Sequence, residues 1–178
     1  MATTKHALVA MVNDKPGVLN RIASLFRRRG FNIESIAVGH SEVPGISRVT
    51  MIVNCTTSQV EQVRKQLEKV IDVIKVLDVT GENTINRELA LIKVKTTANR
   101  SEVMQIVDIF RANIVDVASD SVTIEVTGDN DKVESLYKLL KGFGIKEIAR
   151  TGAIAMTRGS LGSSIVEEKE PGSQAESK

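Results

Sequence analysis

Apolar positions along the chain switch repeatedly between two periods. Residues 6–12, HALVAMV, are apolar almost throughout, as in a strand buried on both faces, and NDKPG follows at once. Beyond it Val18, Leu19, Ile22, Leu25 and Phe26 recur at helical spacing until Gly30 closes the run. Two β-branched segments come next, FNIESIAVG at 31–39 and SRVTMIVN at 47–54. The Pro44-Gly45 pair between them signals a turn. A second helical pattern then places Val60, Val63, Leu67, Val70 and Ile71 on one face, with Thr57 or Ser58 as the N-cap. The short apolar run VIKVLDV completes the order βαββαβ by about residue 80.

The same order then recurs. ELALIKVK (88–95), RSEVMQIVDIFRA (100–112), NIVDVAS (113–119), SVTIEVT (121–127), NDKVESLYKLLKGFG (130–144) and IKEIARTGAIAM (145–156) read as a second βαββαβ unit, joined to the first near GENTINR. The predicted fold class is α+β, each unit an antiparallel sheet with two helices on one face. The expected division is 1–81, 82–160 and a Gly/Ser-rich polar tail, 161–178, expected to be disordered. The two helices that open the units can be aligned with Leu19, Ile22, Ala23, Leu25, Phe26 and Arg27 over Val103, Ile106, Val107, Ile109, Phe110 and Arg111, although any two amphipathic helices admit some such match.

The first strand sets a packing problem. Leu8, Ala10 and Val12 point one way and Ala7, Val9 and Met11 the other, so both faces require cover. Helices bury one face. The other needs a second copy, the second unit or a partner, which makes a lone monomer the least expected state.

Composition narrows the class. With 42% hydrophobic and 26% charged residues the chain is neither disordered nor membranous, and no apolar run approaches the roughly 20 residues that span a bilayer. The amino terminus lacks the order of a secretory signal, so a cytoplasmic location is the expectation. One cysteine, Cys55, and two histidines, His6 and His40, provide no disulfide and no metal-ligand spacing. A net charge of +2 gives no overall footprint for nucleic acid.

Candidate chemistry is sparse. NDKPG sits where a strand meets a helix start, whose unpaired amides and partial positive charge suit an anion or carboxylate; it is equally an ordinary helix start. RRRG at 27–30 is what the macrodipole favours at a helix end. The βαββαβ order is shared with RNA-recognition modules, but the first and third strands carry no aromatic residue on which bases would stack. TGDND at 127–131 lacks the second glycine of a thiamine diphosphate motif, and Asp129 or Asn130 reads as a helix cap. No P-loop, dinucleotide fingerprint or set of acid, base and nucleophile is present.

NDKPGVLNRIASLFRRRGFNIESIAVG followed by PGISRVTMIV resembles the amino-terminal ACT domain of the acetolactate synthase small subunit family. Pro-Gly-Val-Leu, Leu-Phe, Arg-Gly, Asn-Ile-Glu-Ser and Ser-Arg carry the resemblance, and with FRANIVDVASDSVTIEVTG it extends over about residues 5 to 160. It implies a pair of ferredoxin-like ACT and ACT-like domains in a non-catalytic regulator of branched-chain amino acid synthesis. It also implies a homodimer, valine as feedback effector at the dimer interface, and a large catalytic partner carrying thiamine diphosphate, Mg²⁺ and FAD, with no cofactor on this chain. The family's ligand site falls here on Asn13, Asp14, Gly17, Val18, Asn32 and Ile33, the last two supplied by the other protomer. Asp14 stands where the family usually has asparagine; a carboxylate there would attract an ammonium group and repel a carboxylate. The second unit lacks Pro-Gly-Val, so no equivalent pocket is expected in it. The alternative reading is a stand-alone ACT-type amino acid sensor or transcription-linked regulator, for which the sequence offers no DNA-reading helix or basic arm.

Overall fold

The computed structural model describes residues 3–81 and 83–159; the expected disordered tail lies outside the described residues. The first unit contains β1 (Thr4–Asn13), α1 (Val18–Arg29), β2 (Ile33–His40), β3 (Ile46–Cys55), α2 (Thr57–Leu67) and β4 (Val73–Asp78). Its antiparallel sheet has the order β2-β3-β1-β4, with β1 in the interior, Leu8 facing Met51 and Ala10 facing Val49. The second unit contains β5 (Thr84–Lys95), α3 (Arg100–Ile109), β6 (Asn113–Val117), β7 (Ser121–Gly128), α4 (Asn130–Lys141), β8 (Ile145–Arg150) and β9 (Ile154–Thr157), and its sheet has the order β6-β7-β5-β8.

Each unit has its own core. Leu8, Ala10 and Val12 of β1 pack with Val18, Ile22, Leu25 and Phe26 of α1 and with Val60, Val63 and Leu67 of α2. In the second unit Ala90, Ile92 and Val94 of β5 meet Val103 and Val107 of α3 and Val133, Leu136 and Leu140 of α4. Helix α2 is capped by Thr56, not by Thr57 or Ser58: its hydroxyl accepts from the Gln59 amide while the Gln59 side chain returns to the Thr56 amide. This reciprocal box satisfies two orphan donors at once, which is why the earlier threonine wins. Asp129 caps α4 through the Lys132 amide, at 2.8 Å.

The alignment of the repeat is displaced by one helical turn from the sequence reading. Helix α1 ends with the Phe31 amide donating to Phe26 and Gly30 at φ 69°; α3 ends with the Ala112 amide donating to Val107 and Arg111 at φ 49°. Phe26 therefore corresponds to Val107 and Gly30 to Arg111. Both helices show the same closing bond, so the cap fixes a register that side-chain spacing leaves ambiguous. The same register sets Asn32-Ile33 over Asn113-Ile114, and each pair is followed by an irregularity in strand pairing.

The second departure lies at the junction of the units. GENTINR is mostly strand, because β5 already begins at Thr84, and residues 145–156 form two strands instead of one. Arg150 pairs with Ala90, but Ile154 pairs with Arg87, so the returning chain holds one residue more than its partner. Gly152 sits in this β-bulge at φ +80°, a left-handed conformation natural to glycine. The bulge bends the β5–β9 ribbon onto the first sheet. There Ala155 joins Ala7, Val9, Met11 and Val79 in a third apolar cluster. The second unit is thus what covers the outer face of β1.

Ala155 is buried at 3% exposure in this cluster. Ala155→Asp places an unpaired carboxylate there, and the expected loss is about 2 kcal/mol or more, read as a lower urea midpoint at unchanged slope.

Candidate effector site

Strand β1 runs out at Asn13 and the chain must reverse into α1 within four residues. Gly17 makes the final step: it is the N-cap of α1 at φ 87°, and no side chain caps the helix. The Arg21 amide closes the first helical turn on the Gly17 carbonyl at 3.1 Å. The space above Gly17 is open, with no atom within 4 Å of where a Cβ would stand. A helix start without a side-chain cap offers its first amides, and the positive end of the helix dipole, to an acceptor from outside.

The loop is held by a residue the sequence reading did not single out. Asp72, between α2 and β4, has φ 73° and accepts from Asn13 Nδ2 at 3.1 Å, Arg21 Nη1 at 2.5 Å and Lys15 Nζ at 3.4 Å. Its carbonyl also accepts from the Asn13 amide at 2.8 Å. Asn13 therefore ties the loop to Asp72 through both its side chain and its backbone. Hydrogen bonds from Asn13 and then Arg21 hold the Asp72 carboxyl below its ordinary value near 3.8. The one signal in the sequence is an aspartate in a helix-to-strand turn, where Asp tolerates a left-handed backbone.

The other expected site residues divide by place. Asp14 is half exposed, with its carboxylate 3.5 Å from His40 Nδ1 at the far end of β2. Val18 is buried in the first core, and its amide donates to the Lys15 carbonyl at 3.4 Å. Asn32 is exposed, and Ile33 is partly buried against the first core. Asn13 pairs with Ile46 and Ile33 with Val53, so the two groups lie at opposite ends of β3, about 23 Å apart at roughly 3.3 Å per residue. One chain therefore brings together Asn13, Asp14, Gly17 and Val18, and leaves Asn32 and Ile33 at the other end of the sheet. Ile33 starts β2 and Asn32 immediately precedes it; β2 is an edge strand with Ile36 and Val38 exposed along it.

The matching junction of the second unit is built differently. Asn99 holds the N-cap position of α3 at φ −118°, there too without a side-chain hydrogen bond, and the Arg100 guanidinium is occupied by the carbonyls of Ala118 and Ser119 at 2.6 and 3.1 Å. No left-handed glycine opens that helix. Among the described residues no group of three or more His, Cys, Asp or Glu could hold a metal ion, and no helix is long and apolar enough to cross a membrane. His6 is buried against Thr4 Oγ1, and Cys55 lies in the first core, where burial pushes its thiol up.

Because Asp72 is lowered in the folded state, it stabilises the fold fully above its ordinary value, and that contribution is lost as pH falls through the folded value. Asp72→Asn keeps a residue suited to the left-handed turn and removes the charge. The variant should melt at a lower temperature than the parent between about pH 5 and 7, and the gap should narrow below about pH 4. Thermal unfolding across this range checks it; a gap independent of pH would show that the charge is idle.

A model of the AHAS small subunit-like ACT domain matches residues 8–75, and a model of the small subunit of acetolactate synthase matches residues 87–159. The chain is 50% identical over 158 residues to the acetolactate synthase small subunit of Bacillus subtilis, covering 88% of this chain and 92% of that one. It is 48% identical over 161 residues to that of Mycolicibacterium smegmatis, covering 90% and 95%. The crystal structure of the acetolactate synthase small subunit from Thermotoga maritima superposes with a TM-score of 0.82 at 44% identity, covering 89% of this chain and 99% of that one. Two antiparallel βαββαβ units, the family models on both of them and relatives along nearly the whole length agree: the chain belongs to the acetolactate synthase small-subunit family, as a regulatory and not a catalytic chain.

Proposed function

We propose that this regulatory chain senses valine at a pocket shared by two copies of itself and conveys occupancy to a thiamine diphosphate-dependent catalytic chain. In this reading residues 1–81 are the effector-binding unit and residues 82–160 serve assembly and transmission. The observation that carries the reading is the start of α1. Gly17 opens a helix without a side-chain cap, into free space, beside the Asp14 carboxylate. An α-amino acid is a zwitterion: its carboxylate suits the helix amides and its ammonium group suits Asp14.

Ile33, the expected apolar wall of the pocket, is about 23 Å from this loop along β3 within one chain. Two copies meeting along the β2 edge with opposite polarity would bring Asn32 and Ile33 of one to the Gly17 loop of the other. A closed twofold pair of this kind yields two equivalent pockets. It would also cover Ile36 and Val38 and pair the strand edge, which a lone chain leaves open. Asp14 then assists the ammonium end of the ligand while the amides face its carboxylate, which removes the conflict of placing both negative groups at one spot.

A ligand that binds the folded pair and not the unfolded chain stabilises it by mass action, about 2.7 kcal/mol at 100 times the dissociation constant. Millimolar valine should therefore raise the melting temperature of the isolated protein; an unmoved transition sinks the pocket. Gly17→Asp should abolish valine inhibition of acetolactate formation by the reconstituted complex while leaving activation in place. Aspartate tolerates a left-handed backbone better than most residues, so the fold survives, and its charge opposes the ligand carboxylate. Valine sensitivity equal to the parent's would reduce the loop to an ordinary helix start.

A further inference from the structure

The two units touch along a narrow seam. The Ala153 amide donates to Ser35 Oγ at 2.9 Å, and Arg48 Nη2 donates to the Ala155 carbonyl at 2.8 Å. Gly152 is pressed against the same spot: a Cβ there would stand 2.7 Å from Ser35 Oγ and 3.0 Å from the Ile36 carbonyl. On either side of the seam the surfaces part, leaving hollows of about 600 and 360 Å³. Ser35, Gly152 and Ala153 border the larger hollow, and Arg48 and Ala155 the smaller. Beside the seam, Ala155 packs in the small cluster with Ala7, Val9, Met11 and Val79.

The seam lands on the strand that carries one half of the proposed pocket. Ser35 is two residues beyond Ile33, with a pairing irregularity between them. Arg48 pairs with Gly39, next to His40, whose ring meets Asp14. Both ends of β2 thus adjoin groups assigned to the effector, while its middle adjoins the second unit. Burial, which lowers the Arg48 pKa, and its position between Met11 and Ala155 make that side chain part of the contact.

We propose that Ser35, Gly152 and Arg48 are the coupling element of the chain: the seam that joins β2 and β3 to the β8–β9 bulge and β9 reports effector occupancy in the first unit to the second. The proposal rests on the effector reading above. An irregular strand pair is where β2 can shift without breaking its ladder, and a displacement of Ser35 must move or release the Ala153 amide. Ligand-driven couplings usually amount to about 5- to 150-fold, and one hydrogen bond contributes about two- to tenfold, so a seam of two bonds and one close contact is of the right size.

The test separates binding from response. Ser35→Ala deletes one acceptor and nothing else; Gly152→Ala drives a Cβ into Ser35 and strains a left-handed position. Valine affinity of each isolated full-length variant is measured by calorimetry, and acetolactate formation by its complex with the catalytic chain is followed with and without valine. The expected result is affinity within about twofold of the parent and activation retained, with inhibition weakened about two- to tenfold in Ser35→Ala and abolished in Gly152→Ala. Undiminished inhibition in Ser35→Ala overturns the proposal, as does loss of valine affinity in that variant, which would make Ser35 part of the pocket. If the parent itself binds no valine, the effector reading fails and not the seam. Should Gly152→Ala fail to fold, Ser35→Ala alone decides.

Discussion

Strand β1 has apolar residues on both faces, and most of the architecture answers that fact. A sheet with helices on one side leaves Ala7, Val9 and Met11 facing water, and burial of such side chains is worth roughly 1.5–3 kcal/mol for the larger ones. A second helical layer would supply cover but would also close the other side of the sheet completely. The chain instead lays a two-stranded ribbon of its second unit across the face, reaching it by one inserted residue. That cover is thin. It buries β1 while leaving the flanks of the interface open, and it gives the two units a contact small enough to be altered.

The start of α1 obeys a different constraint. A capped helix is more stable by about 1 kcal/mol, and α2 and α4 take that stabilisation through Thr56 and Asp129. Helix α1 forgoes it. Its N-cap is a glycine with open space before it, and the order that a cap would have supplied comes from Asp72, which ties down Asn13, Lys15 and Arg21 from another segment. The loop is therefore held from behind: the Asp14, Lys15 and Val18 amides donate to the Gly45, Asn13 and Lys15 carbonyls, which leaves the Leu19 and Asn20 amides of the first turn as the donors for an outside acceptor. Rigid support around unfilled donors is how a binding site lowers the entropic cost of receiving a ligand.

The sequence made the element order and both cores legible because period 2 and period 3.6 are strong signals over runs of this length, and Leu8, Ile22, Val63 and Val103 all lie where spacing puts them. What it hid was register. Leu19 over Val103 and Ile22 over Val103 are both acceptable helical matches; only the closing bonds at Phe31 and Ala112 separate them. The bulge at Gly152 was hidden for a similar reason, since one extra residue in RTGAIA leaves the composition of a strand unchanged while redirecting everything after it. Of the site, Gly17 was legible through Pro-Gly at a strand-to-helix junction, whereas Asp72 was not, because its partners are more than fifty positions away and no local pattern marks a long-range anchor.

The proposed effector site lies at the edge of a sheet and not in a core, and the difference is physical. A core is close-packed and resists small displacements, so occupancy there changes stability more readily than shape. Strand β2 is an edge: it pairs with β3 on one side only, its pairing is already irregular between Ile33 and Ser35, and its outer residues stay exposed. On the proposed reading, a ligand at its ends would act on a strand held by its ladder on one side only. The second unit holds that same strand through Ser35, so an edge strand of one unit is also a point of attachment of the other. If the proposed effector prefers one of two positions of β2, that difference in affinity would suffice for regulation without a rearrangement of either core.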